Sequence, residues 1–252
     1  MVEMILPRSQ DAMHKAWLYR VLSGIADSAS LTQVLFFKGG TCASMLGYLD
    51  RFSVDLDFDY VGDRSLLPQV RTRLETIFRD LRLTIPDQSA IIPQYFLKYE
   101  APEGHRNTIK IDVTVPPPTT NTYELKQFHE IDRILICQTL ETMMANKLVA
   151  LMDRYQKYEA IAGRDLYDIH HFFLSGYRYN EAVIHERTQK DTRQFLTDLI
   201  VFITQHITDT IIQQDLNTLL PYEHFSRIRK ILKPETLMFL GDELKRLTHS
   251  HA

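Results

Sequence analysis

Asp55 and Asp57 stand two residues apart in the stretch V-D-L-D-F, whose apolar neighbours read as a strand over residues 54–61. A strand repeats every second residue, so both carboxylates face one way while Val54, Leu56 and Phe58 face the other. Like charges side by side disfavour each other's ionised form unless something positive lies between them. This pattern points to a bound divalent cation. An oxygen-only ligand set with no adjacent Cys or His favours magnesium, or manganese, over zinc.

A complementary feature lies just upstream. Residues 34–37, V-L-F-F, read as a short buried strand that stops at Gly39 and Gly40. Two glycines let the backbone approach a triphosphate closely and present N–H groups to it at the start of a helix. Thr41 is placed to cap that helix, whose apolar residues are Ala43, Met45, Leu46 and Leu49. Alone, a glycine pair is usually a turn and a D-x-D is usually a solvated strand edge. The order strand, glycine turn, helix, D-x-D strand resembles the DNA polymerase β-type nucleotidyltransferase superfamily.

Other elements must hold these residues in place. Residues 9–30 carry apolar positions at helical spacing and read as a helix packed across the sheet. Residues 66–83 read as an amphipathic helix with Arg71, Arg73, Arg79 and Arg82 outward, a solvated face that could also meet a nucleic-acid backbone. Strands are expected over 91–100 and 108–115. The second carries Asp112 opposite Ile109, Ile111, Val113 and Val115. A third carboxylate on a strand beside the D-x-D strand would complete a metal site and take a proton from an attacking hydroxyl. Pro116, Pro117 and Pro118 donate no ladder bonds and are read as the end of the sheet. The expected domains are therefore 1–118 and 119–252, the second helical throughout.

In the second domain residues 140–158 form an amphipathic helix with Lys147 and Arg154 on a shared face. After Gly163 a new helix begins, with Asp165 in its first turn, Asp168 one turn on, and Arg164 spaced to pair with Asp168. His170 and His171 are adjacent, so they face different ways and make a poor metal pair. Further helices are expected near 190–206, 208–219 and 234–247, with Pro221 and Pro234 as breakers.

Composition sets outer limits. The chain has 252 residues, 44% of them hydrophobic and 24% charged, with a formal net charge of −3. No global basic field advertises a polyanionic partner. Cys42 and Cys137 read as buried small residues in a reducing compartment. Glu3 and Pro7 interrupt the apolar run a signal peptide requires, and no segment has the length of a membrane span. The expectation is a cytoplasmic protein that does not engage a membrane.

Taken together, K-G-G-T, R-F-S-V-D-L-D-F, K-L-V-A-L-M-D-R and R-D-L-Y-D resemble the AbiEii/AbiGii-type nucleotidyltransferase toxin family over residues 36 to about 175. The resemblance implies an α+β catalytic domain built on a mixed sheet flanked by helices, a helical C-terminal domain, and an active site in the groove between them. It implies magnesium on Asp55 and Asp57 and functional roles for Ser53, Lys147 and Asp165. It also implies an NTP donor, a tRNA acceptor, and a toxin opposed by a separately encoded antitoxin. Many superfamily members have Gly-Ser where this chain has Gly39-Gly40-Thr41, so Thr41 would supply any hydroxyl that touches phosphate. Two other readings remain open: the same chemistry on a protein or a small molecule such as an antibiotic, and an NTP-binding module without turnover.

Overall fold

The computed structural model describes residues 4–249, so Glu3 and residues 250–252 of the tail lie outside it. Contacts divide the chain into two compact units. One holds the chain up to Pro117 together with Thr122–Thr139, and the other holds Pro118–Asn121 together with the chain from Leu140 onward.

The first unit opens with helix α1 (Asp11–Ala26) and a short helix α2 (Ala29–Thr32), followed by β1 (Leu35–Lys38), α3 (Gly39–Met45) and β2 (Asp55–Tyr60). A 3-10 turn leads into α4 (Leu67–Asp80), then β3 (Thr84–Gln88), β4 (Tyr95–Lys98) and β5 (Thr108–Thr114). A hairpin of β6 (Tyr123–Phe128) and β7 (Arg133–Gln138) completes a seven-stranded sheet in the order β3-β4-β5-β2-β1-β7-β6. The sheet is mixed: β2 runs parallel to β5 and β1 parallel to β7, while β1 and β2 are antiparallel. This is the α+β architecture with a mixed sheet that the sequence leads one to expect.

Alternation along β5 shows what orients the sheet. Ile109, Ile111 and Val113 are fully buried, while Thr108, Lys110, Asp112 and Thr114 are partly exposed on the other face. Leu56 and Phe58 of β2 and Phe37 of β1 join the buried side, as do Leu74 and Phe78 of α4 and Leu18 and Leu22 of α1. Burying that face fixes the strand register, and with it the direction of every polar side chain on the opposite face.

The sheet does not end at the prolines. They close β5, but β6 and β7 rejoin the sheet beyond them, because Phe128, Leu135 and Cys137 supply a buried face that packs with Phe37. β3 is also a strand, although T-I-P-D-Q contains a proline; it sits at the sheet edge, where a missing donor is tolerated. The expected strand over 91–100 is confined to β4, and Ile91 is exposed.

In the second unit six helices follow: α5 (Leu140–Tyr158), α6 (Gly163–Leu174), α7 (Glu181–Thr188), α8 (Thr192–His206), α9 (Asp209–Leu216) and α10 (Tyr222–His249). Residues 118–121 are tied to α7 by Glu186, whose carboxylate accepts the backbone N–H and hydroxyl of both Thr119 and Thr120 at 2.6–3.0 Å. Pro234 does not break the last helix. It lies inside α10, and Leu232, Thr236 and Leu240 around it are fully buried, so packing outweighs the roughly 3 kcal/mol that an interior proline costs. Among the described residues no single helix is long and apolar enough to cross a membrane.

Candidate functional site

β1 delivers the chain into Gly39, whose φ of +79° places it in the left-handed region. The absence of a side chain is required here twice over. A Cβ on Gly39 would lie 2.2 Å from Asp57 Oδ2, and one on Gly40 would lie 2.8 Å from both Ser53 Oγ and Arg51 Nη2. The glycine turn is thus packed directly against the D-x-D strand. Thr41 does not cap α3, since that position falls to Lys38, which offers no side-chain cap. The Thr41 hydroxyl is fully buried and donates to the Asp55 carbonyl at 2.5 Å, tying helix to strand; its proton is therefore committed away from any phosphate. The helix ends at Met45, and Leu49 is buried just beyond it.

On β2, Asp55 and Asp57 are partly exposed on the face opposite Leu56 and Phe58. The parallel pairing sets Asp57 beside Asp112 and Asp55 beside Lys110 on β5. Asp112 is held: one oxygen accepts from Gln94 Nε2 at 3.2 Å and the other is ion-paired with Lys110. Arg71 and Arg73 serve the fold as well. The Arg71 guanidinium donates to the carbonyls of Ile92 and Ser89, and Arg73 Nε donates to Ser28 Oγ at 3.0 Å.

The residues that periodicity alone did not single out lie next along the same face. Asp59 is fully buried and accepts from Lys38 Nζ at 2.6 Å, Gln138 Nε2 at 2.6 Å and Tyr123 Oη at 2.9 Å. Lys38 donates in addition to Thr114 Oγ1 at 2.6 Å. Asp59 continues the two-residue step of Asp55 and Asp57, a signal present in D-L-D-F-D. Arg51, almost fully buried against the glycine turn, donates to the Phe52 carbonyl at 2.9 Å.

The second unit gathers its own charged set. Lys147 on α5 donates to Asp165 Oδ1 at 2.7 Å and lies 2.9 Å from Asp168 Oδ2, while Arg154 Nε stands 3.5 Å from Asp165 Oδ2. Asp168 thus pairs with Lys147, where the spacing alone suggests Arg164. Both aspartates are fully buried. Position 163, the first of α6, is a glycine where the backbone of α9 crosses: a Cβ would meet the Ile211 carbonyl oxygen at 2.8 Å. Burial favours the neutral form of Asp165, but the charges of Lys147, Arg154 and Arg164 outweigh it and hold the carboxyl below the usual range. His170 bonds to Glu235 at 2.8 Å and takes no part in this set.

The donor chemistry on β2 fits a hard cation. Two partly exposed carboxylates share a face two residues apart, and carboxylate oxygens are the donors such a cation prefers. Among the described residues no group of three or more His, Cys, Asp or Glu side chains is assembled around a common metal position. A third ligand from Asp112 would require its contact with Lys110 to open.

Comparison with known proteins agrees with this architecture. The family model for the AbiEii nucleotidyl transferase toxin of type IV toxin–antitoxin systems matches residues 20–226. No curated protein matches the chain by sequence. Among solved structures, a candidate nucleotidyltransferase from H. pylori aligns with a TM-score of 0.62 at 19% identity, covering 95% of this chain and 98% of its own. JHP933 from Helicobacter pylori aligns at 0.58 and 20% identity, covering 98% and 97%. MenT4, a nucleotidyltransferase toxin from Mycobacterium tuberculosis H37Rv, aligns at 0.52 and 19% identity, covering 95% and 88%. At these identities the likeness shows the fold.

Proposed function

Because the chain belongs to the AbiEii nucleotidyltransferase toxin family of type IV toxin–antitoxin systems, we propose that it transfers a nucleoside monophosphate from an NTP to a tRNA in a magnesium-dependent reaction. The family carries with it an NTP substrate and a cognate antitoxin. The observation that supports the chemistry most directly is the pair Asp55 and Asp57, partly exposed on one face of β2 with Gly39 packed against Asp57.

Nucleotidyl transfer joins an acceptor hydroxyl oxygen to the α-phosphorus and breaks the bond from that phosphorus to the β-phosphate bridge. Pyrophosphate leaves, and the hydroxyl proton must pass to a base. Asp55 and Asp57 would hold the cation, which neutralises charge building on the phosphate oxygens. Asp112, in register with Asp57, is the group proposed to take the proton and to add a ligand once Lys110 releases it. Gly39 and Gly40 let the turn pack against Asp57, Arg51 and Ser53, and the backbone N–H groups of that turn are proposed to meet the phosphates. Lys147 is proposed to steady the phosphates, and Asp165 to orient Lys147 through Oδ1. The reaction is placed in the cytoplasm, where NTP and tRNA meet.

The test is incubation of the protein with magnesium, each α-labelled NTP in turn and total bacterial tRNA, with Asp55→Ala as control. Label in tRNA with one NTP, lost in the variant, is expected. Label that persists in Asp55→Ala would remove the metal assignment. A second reading, transfer to a protein or small molecule, is favoured by the net charge of −3 and by the engagement of Arg71 within the fold. Label entering lysate protein or a small molecule but not tRNA would select it.

A further inference from the structure

Lys38 is the last residue of β1 and stands directly before the glycine turn, in register with Asp57 on the neighbouring strand. Its side chain shares a sheet face with Asp55 and Asp57, because residues opposite one another on paired strands point the same way. An ammonium carries three hydrogen-bond donors in tetrahedral array. Asp59 on β2 and Thr114 on β5 take two of them, at 2.6 Å each. The third remains, on a side chain that is 19% exposed. Asp59, by contrast, is closed on all sides: Lys38, Tyr123 and Gln138 converge on its two oxygens, and its exposure is nil.

We propose that Lys38 is a phosphate-binding residue for the nucleotide, and that Asp59 is the positioning residue that holds its ammonium in place for that contact. The inference rests on the nucleotidyltransfer reading above. Asp59 is badly placed to ligate the cation, because it is fully buried and three donors already converge on its two oxygens. What it does is fix a long, flexible lysine in one rotamer at the edge of the glycine turn, with Tyr123 and Gln138 holding Asp59 in turn. A preset cation then meets the incoming triphosphate without first being ordered. Thr114 adds a second tether from β5, so three neighbouring strands determine where the charge lies.

A simpler role would be neutralisation alone, in which Lys38 exists only to pair a buried carboxylate. Three variants separate the two: Lys38→Met, Lys38→Arg and the double variant Lys38→Met with Asp59→Asn. The double variant leaves no buried charge unpaired, so it stays testable even if Lys38→Met does not fold. The measurement is calorimetric titration with the four α,β-methylene NTP analogues in magnesium, alongside a thermal melt of each protein. The expected result is a dissociation constant roughly ten- to a hundred-fold weaker in the double variant than in the unmodified protein, the worth of a hydrogen bond to a charged group. Lys38→Arg should recover part of the loss, since arginine retains the charge. Binding in the double variant as tight as in the unmodified protein would overturn the assignment of Lys38 while leaving nucleotidyl transfer intact. An unmodified protein that binds none of the analogues would overturn both.

Discussion

On strand β2 Asp55 and Asp57 are partly exposed, whereas on helix α6 Asp165 and Asp168 are fully buried with Lys147 set between them. The two pairs share one residue type and differ in spacing and setting. Two residues apart on a strand, carboxylates stand side by side at an open face. Three apart on a helix, they converge on one point, and here that point is occupied by an ammonium from the neighbouring helix. The strand pair, partly exposed, is the one proposed above to hold a cation drawn from solution. The helix pair already owns one.

The contrast is sharpest under mutation. Lys147→Met removes the ammonium that both buried carboxylates share, leaving Arg154 at 3.5 Å from Asp165, so stability should fall by about 3–5 kcal/mol, read as a lowered midpoint in urea. Asp55→Ala removes a partly exposed group and should barely shift that midpoint, yet it should lower transfer by roughly a hundred- to a thousand-fold. Equal midpoints for Lys147→Met and Asp55→Ala would break the comparison.

Acid should separate the units as well. Burial pushes the His14 imidazole of the first unit down to about 4; it lies within hydrogen-bonding distance of the Val54 carbonyl at 2.9 Å and the Tyr99 hydroxyl at 2.7 Å. Its unfolded form binds protons more readily, so stability is full above about 6.5 and is lost as pH falls toward 4, by up to roughly 3 kcal/mol. The Asp165 carboxyl is also depressed, so its contribution persists above the ordinary carboxylate range and is lost only below it. The only tryptophan, Trp17, stacks on Tyr99 at 5.3 Å and reports on the first unit. Its fluorescence should therefore respond between pH 6.5 and 4, ahead of helical ellipticity; simultaneous transitions would contradict the assignment.

The smallest expected effect is that of Thr41→Val, which removes a single buried hydrogen bond to the Asp55 carbonyl and should cost about 1 kcal/mol. Transfer should decline only modestly, because the carboxylate of Asp55 itself is untouched.

Much of this was legible in the sequence where the pattern is local. The turn at Gly39, the two-residue step of Asp55 and Asp57, and the two helices near 140 and 163 follow from periodicity and a few residue types. Lys147 and Asp165 stand out only through the resemblance of K-L-V-A-L-M-D-R and R-D-L-Y-D to the family. What was not legible depends on partners far along the chain. Asp59 looks like another strand residue until Gln138 and Tyr123 arrive from β7 and β6. Those strands were themselves hidden, because three prolines suggest an end and not a detour. Thr41 sits where caps sit, yet its hydroxyl turns to a neighbouring strand. Pro234 breaks helices in isolation, but not one with Leu232 and Leu240 buried around it.

The return of residues 122–139 to the first unit bears on how the protein is made. As the chain leaves the ribosome, β1, β2 and β5 emerge well before β6 and β7, so for a time Asp59 has Lys38 but neither Tyr123 nor Gln138. A nascent chain halted at the prolines holds the D-x-D strand but lacks the strand that pairs with β1 on its far side. Synthesis would have to pass residue 138 before the sheet face could close around its buried aspartate. Incomplete translation products would then lack that closed face, which suits a member of a toxin family.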